Sequence, residues 1–281
     1  MSSDSKNQWR ELTANLPAEL ASTLEEYAGR LLEKTIDALF YALERRDPLT
    51  AGHSIRVDKY CALIAGSMKL PQQNAKALHY AALLHDIGKM GVPEAVLYKS
   101  GRPTAEEHGL MQQHVKLTFE ILKDLPFTPE LSAVPFIASC HHEHLDGTGY
   151  YRGLRADQIP MAVRIFTFAT VFDNLTSVRY LEERTPIVKV HELLQSRCER
   201  QLDPAVMDRF YKLPAHVVMQ IMDSERRVVP SPVLDKYKGI TWHRLIELCQ
   251  GQLPDNGEEN LAPQFEKMYA GPANLASLEL S

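Results

Sequence analysis

The stretch Ala81-Ala82-Leu83-Leu84-His85-Asp86-Ile87-Gly88-Lys89 decides the fold of this 281-residue chain. An apolar helical run leads straight into a histidine, an aspartate and a lysine, so ionisable groups are set against a core. Such groups are costly there unless they are paired or bind a metal. Outward from this point the periodicity is helical almost throughout. Upstream, Leu20, Leu24, Tyr27 and Leu31 recur at steps of four, three and four, and Ile36, Leu39, Phe40 and Leu43 continue an apolar face. This predicts one long helix that ends before Asp47-Pro48. Further helices are expected at residues 55–68, 74–84, 104–123, 129–140, 160–181, 186–198 and 203–213. Thr104 with Glu107 forms a capping box, and Thr185-Pro186 and Asp203-Pro204 each place proline at the first helical position after a cap. No stretch sustains two-residue alternation, so the fold class is all-α.

A composition of 44% hydrophobic and 24% charged residues is that of an ordinary globular protein and excludes disordered, collagen-like and coiled-coil classes. The net charge of −5 and the lack of basic runs interleaved with aromatics argue against a nucleic-acid polymer as partner. A small anionic ligand held by a local cluster is compatible with that charge. Cys61, Cys140, Cys198 and Cys249 show no CxxC spacing, which points away from a disulfide framework or a thiolate zinc site and towards a reducing cytoplasm. Residues 1–10 are polar, and no apolar stretch approaches the ~18 residues of a spanning helix, so neither export nor a membrane is expected.

After residue 213, Ser231-Pro232, Leu253-Pro254-Asp255-Asn256-Gly257 and Gly271-Pro272 interrupt short helical pieces. The expected organisation is an N-terminal helical segment (1–34), a catalytic-type domain (35–213) and a C-terminal extension (214–281) with a partly disordered end. The N-terminal helix reads equally as a homodimerisation helix or as one packed on its own domain. No receiver or sensor domain is recognisable before Glu44, so regulation is expected through this helix or a separate partner.

Eleven histidines are present, and their distribution matters more than their number. His53, His85-Asp86, His114 and His141-His142 recur at about one helix plus one connection, so a helical bundle can gather them at corresponding helix ends. Imidazole and carboxylate suit first-row metals, and five histidines with an aspartate exceed one tetrahedral site. Two ions sharing Asp86 account for the surplus. His79, His108, His144, His191, His216 and His243 are read as structural.

Thr50-Ala51-Gly52-His53, His85-Asp86-Ile87-Gly88-Lys89, Met111-Gln112-Gln113-His114 and His141-His142-Glu143-His144-Leu145-Asp146-Gly147-Thr148-Gly149-Tyr150, in this order, resemble the signature of the HD-GYP family. The likeness continues through Phe172-Asp173-Asn174-Leu175-Thr176-Ser177 to Asp203-Pro204. It implies an HD-domain helical bundle and a metallophosphodiesterase of bacterial signalling that hydrolyses cyclic di-GMP. It further implies that His53, His85 and Asp86 hold one divalent ion, and Asp86, His114, His141 and His142 a second, with iron or manganese favoured by the nitrogen and oxygen donors. Lys89 would project beside Asp86 if the helix continues and place a point charge on the substrate phosphate. Gly147, Gly149 and Tyr150 match the recognition loop, whose tyrosine stacks or hydrogen-bonds at a guanine. Arg179 matches a phosphate-contacting arginine.

Three positions depart from that pattern. Thr170 stands where the family has a metal-ligating aspartate, which removes an anionic ligand from the first metal. Asp173 is the acid the family keeps alongside the missing one, so it is not expected to replace it. Tyr151 stands where the family has proline, which frees φ and restores an N–H, and so predicts a more mobile loop. Leu49 stands where members with a third metal carry glutamate, so at most two ions are expected. The leading function is therefore a cyclic di-GMP phosphodiesterase. The alternative is a degenerate member that binds cyclic di-GMP or a diguanylate cyclase (GGDEF) partner with little turnover, because of Thr170.

Overall fold

Leu32, Ile36 and Leu43 are each no more than 1% exposed and fix the inner face of the first helix, α1 (Ala18–Arg46). The computed structural model describes residues 16–99, 101–177, 184–222, 231–252 and 261–270. Leu20, Tyr27 and Leu31, read from sequence as the start of the same face, are instead exposed on α1. The two stripes are out of phase, because neighbouring residues such as Leu31 and Leu32 point about 100° apart on a helix. The core takes the second stripe, and α1 runs unbroken across the expected boundary at residue 34.

The second helix, α2 (Pro48–Ser67), begins seven residues before its expected start. Asp47 caps it, its carboxylate accepting from the Thr50 N–H at 3.1 Å and the Thr50 hydroxyl at 2.7 Å, and Pro48 occupies the first turn. This brings His53 and Arg56 onto one helical face.

The third helix, α3 (Gln72–Leu84), stops at the apolar run's end, and a 3₁₀ turn (Ile87–Gly91) follows. The α-helix does not continue through Lys89, but a three-residue turn keeps positions 86 and 89 in line. Gly88 allows the turn to lie against the next long helix: a Cβ there would collide with the His114 carbonyl and the Thr118 backbone. Thr118 fastens the contact, accepting from the Gly88 N–H at 3.0 Å and donating to the His85 carbonyl at 2.6 Å.

After a short helix, α4 (Glu94–Leu97), comes α5 (Ala105–Leu122), opened by the expected capping box of Thr104 and Glu107. The single helix expected over 129–140 is two pieces, a 3₁₀ turn (Pro129–Leu131) and α6 (Val134–Ala138). Pro135 has no N–H to continue a preceding helix and is accommodated in the first turn of α6. A largely buried helix, α7 (Met161–Thr176), lies against α2 and α3. It ends at Thr176, short of the expected Leu181, with Ser177 extended.

The remaining helices are α8 (Ile187–Arg197), α9 (Pro204–Tyr211), α10 (Ala215–Met222), α11 (Ser231–Asp235), α12 (Trp242–Cys249) and α13 (Leu261–Ala270). Those beyond residue 213 share the core of the helices before it. Trp242 meets Phe172 edge-on at 5.9 Å and Phe265 at 5.9 Å, and both Trp242 and Phe265 are 1% exposed. Residues 271–281, expected to be partly disordered, lie outside the described residues. Among the described residues there are only isolated β-bridges, and no helix is long and apolar enough to cross a membrane.

Candidate metal centre

Three of the five site histidines are held by one local device. Each donates its Nδ1 proton to the carbonyl three residues earlier: His85 to Ala82 at 2.8 Å, His114 to Met111 at 2.5 Å and His141 to Ala138 at 2.8 Å. That hydrogen bond fixes the tautomer and leaves the Nε2 lone pair facing inward. His53 reaches the same state through Asp173, its Nδ1 lying 2.7 Å from Oδ2. Asp173 also accepts from Arg56 Nε at 2.7 Å, from a second Arg56 nitrogen at 3.0 Å and from the Ser177 hydroxyl at 2.9 Å. Burial alone would raise the Asp173 carboxyl, but the His53 hydrogen bond and the Arg56 charge outweigh it and hold it below the usual carboxylate range.

The ligand atoms form two trios, His53, His85 and Asp86, and His114, His141 and His142, each with its atoms within 4.8 Å of one another. Asp86 faces both: its Oδ2 lies 3.4 Å from His85 Nε2 and its Oδ1 3.4 Å from His114 Nε2. One carboxylate with an oxygen toward each trio is the arrangement of a bridge.

The donors fit divalent cations on two further counts. His85 Nε2 is buried and makes no hydrogen bond. His114 and His141 bring their Nε2 atoms to 3.3 Å, although both rings have already committed their Nδ1 protons. Two lone pairs at that distance repel unless a cation lies with them. Burial also depresses the imidazoles, with His85 lowered to about 4 against a partial opposing pull from Asp86. His141, His142 and His114 are lowered too, by burial first and by neighbouring imidazoles or Lys89 after it, against an opposing pull from Asp86. The rings are therefore neutral near pH 7, as ligands must be. Asp86 is held low despite burial by His85, Lys89 and His114.

A cavity of about 270 Å³ opens onto both trios and is lined also by Lys89, Tyr150, Thr170, Asn174 and Arg184. Lys89 Nζ sits 2.7 Å from Asp86 Oδ2. Tyr150 stacks on the His142 ring at 4.5 Å and 21°. A Cβ at Gly149 would strike the backbone of residues 142–144, so the loop's close approach depends on glycine; Gly147 has φ 81°. Thr170 is 2% exposed, and its hydroxyl makes no hydrogen bond. Tyr151 has φ 88°, a left-handed conformation closed to proline. The loop is nonetheless fastened. Arg152 lies over the rings of Phe119 at 4.6 Å and Tyr151 at 4.7 Å, and buried Glu143 accepts from the Arg152 and Leu154 N–H groups at 2.8 and 2.7 Å.

Arg179 lies outside the described residues. Of the six histidines read as structural, none lines the cavity, and five have side-chain partners: Asp58 for His79, Gln112 for His108, Thr148 for His144, Tyr211 for His191 and Glu247 for His243. His216 Nδ1 is buried without one. The sequence reading missed Arg56 and the part played by Asp173. The signal was the i, i+3 spacing of His53 and Arg56 on a helix already begun at Pro48.

This bundle, with a histidine-aspartate turn at the end of a buried helix, defines a class. The chain belongs to the HD domain family, whose sequence profile matches residues 38–206. Among curated relatives, it is 38% identical to the 3'3'-cGAMP-specific phosphodiesterase 3 of Vibrio cholerae serotype O1, over 62% of this chain and 37% of that protein. It is 34% identical to the cyclic di-GMP phosphodiesterase of Thermotoga maritima, over 68% of this chain and 52% of that one. It is 31% identical to the cyclic di-GMP phosphodiesterase response regulator RpfG of Xanthomonas campestris pv. campestris, over 71% and 52%. The chain thus spans between about a third and a half of the length of these relatives.

Proposed function

We propose that this chain is a metal-dependent phosphodiesterase of the HD-GYP type that hydrolyses a 3',3'-cyclic dinucleotide, with cyclic di-GMP as the leading substrate. The observation that carries the reading is the pair of trios sharing Asp86, with His114 and His141 meeting Nε2 to Nε2. His53, His85 and Asp86 would hold one divalent ion, and Asp86, His114, His141 and His142 the other, iron or manganese suiting the nitrogen and oxygen donors. Bound there, the ions supply water activation and charge neutralisation at the phosphate oxygens.

The chain's own residues do the rest. Asp173 and Arg56 lock the His53 ring, so its lone pair is pre-aimed and little reorganisation accompanies binding. Lys89 supplies a point charge beside Asp86 that can pass to a non-bridging phosphate oxygen. Tyr150, backed by His142 on one face, offers its other face to a base, with Gly147 and Gly149 keeping the loop backbone close. The exposed apolar residues Leu20, Tyr27 and Leu31 on α1 support a homodimer through that helix.

The test is hydrolysis by anaerobically purified, metal-loaded protein, offered cyclic di-GMP and 3',3'-cGAMP in parallel, because both substrate names occur among the relatives. Turnover of either that is abolished in Asp86→Asn supports the reading. A protein that holds two ions and turns over neither contradicts it, and favours the binding-only alternative that Thr170 suggests.

A further inference from the structure

The HD match ends at residue 206, yet a residue far beyond it grips the wall of the cavity. Arg184 lines the cavity together with His53, Asp86 and Lys89. Tyr269, in the last turn of α13, holds this segment with three different groups. Its ring lies under the Arg184 guanidinium at 5.1 Å, its carbonyl accepts from Arg184 at 3.3 Å, and its hydroxyl donates to the Thr185 carbonyl at 2.8 Å. A cation at the C-terminal carbonyls of a helix is also favoured by the helix dipole. Tyr269 is itself immobilised: it is 3% exposed and stacks on Phe265 at 5.5 Å, and Phe265 packs on Trp242.

Tyr269 holds Arg184 by a π face and a carbonyl, groups that orient a guanidinium. Its planar fork matches phosphate oxygens better than an ammonium does.

We infer that Arg184 is a phosphate-contacting residue of this cavity and that α13, through Tyr269, positions it, so the C-terminal helices are part of the binding site. The inference rests on the cyclic dinucleotide reading for the identity of the ligand, a phosphodiester anion. It gives the segment after residue 213 a role that the family match leaves out.

Cyclic di-GMP and inorganic phosphate are titrated in parallel into metal-loaded wild-type, Arg184→Gln, Arg184→Lys, Tyr269→Leu and Tyr269→Phe proteins, with metal content and melting temperature recorded for each. Arg184→Gln should weaken both ligands about tenfold, and Arg184→Lys by less. Tyr269→Leu should weaken them several-fold in the native background and not at all once Arg184 is Gln, whereas Tyr269→Phe, which keeps the ring, should stay within about twofold. Metal content should be unchanged throughout.

Unaltered affinity in Arg184→Gln for both ligands overturns the inference, and multiplicative losses in Arg184→Gln/Tyr269→Leu overturn the positioning role. If wild type binds phosphate but no cyclic dinucleotide, the substrate reading falls, while the phosphate series still decides Arg184.

Discussion

Replacing Asp173 with asparagine should damage stability and the first metal site together, for reasons that can be worked through group by group. The carboxylate is 1% exposed and accepts from His53, from two nitrogens of Arg56 and from Ser177. An amide has one acceptor oxygen and two N–H donors. If the oxygen stays with Arg56, the amide N–H faces His53 Nδ1, which must give up its proton and accept. The proton then moves to Nε2 and removes the lone pair aimed at the cavity. Arg56, whose side chain is 11% exposed, meanwhile loses the negative charge of Asp173. Removing one partner of a buried ion pair costs about 3–5 kcal/mol, and loss of the group orienting a ligand histidine costs about 10–100-fold in metal affinity. For a chain of this size the first figure corresponds to a melting temperature lower by roughly 10 °C. Urea denaturation of the metal-free protein and competitive metal titration of the folded variant measure the two effects separately. A folded Asp173→Asn protein that binds both ions as tightly as wild type would refute the argument that Asp173 sets the His53 tautomer.

Three other outcomes follow from the same structure. Tyr151→Pro, although it restores the family motif, should destabilise by about 1–3 kcal/mol, because φ 88° is closed to proline; an unchanged melting temperature would show that the loop adopts another conformation. Trp242→Ala should cost about 3–5 kcal/mol in urea denaturation while the folded variant keeps its metal content, since Trp242 is core and not cavity. Burial lowers the His85 pKa in the fold to about 4, whereas an unfolded histidine titrates near about 6.5. The unfolded chain takes up the proton first as pH falls, so stability of the metal-free protein is full above about 6.5 and declines toward 4, by up to roughly 3 kcal/mol from His85. A flat denaturation midpoint between pH 7 and 5 would contradict this.

Much of the centre was legible because its chemistry is local. The Ala81–Leu84 run, the capping box at Thr104 and the histidine spacing are short-range signals, and they place the six ligand candidates where the trios occur. What was misread depends on tertiary context or on a signal with two meanings. Asp47-Pro48 ends one helix and also caps the next, so reading it only as a stop moved the start of α2 and hid Arg56. The stripes of α1 differ by one residue, and only packing chooses Leu32 over Leu31. The grip of Tyr269 on Arg184 joins residues 85 positions apart and has no sequence signature. Tyr151 shows the reverse case: the substitution was visible, but the ring and carboxylate contacts that fasten the loop come from Phe119 and Glu143.

The natural sequence is expected to build a working two-ion centre despite Thr170, whose buried hydroxyl makes no hydrogen bond. The most direct test is metal content per chain, measured with cyclic di-GMP turnover on anaerobically purified protein, beside Thr170→Asp. Two ions and turnover are expected in the unmodified protein, with tighter binding of the first ion in the variant. Turnover confined to Thr170→Asp, or a single ion in the unmodified protein, would contradict it.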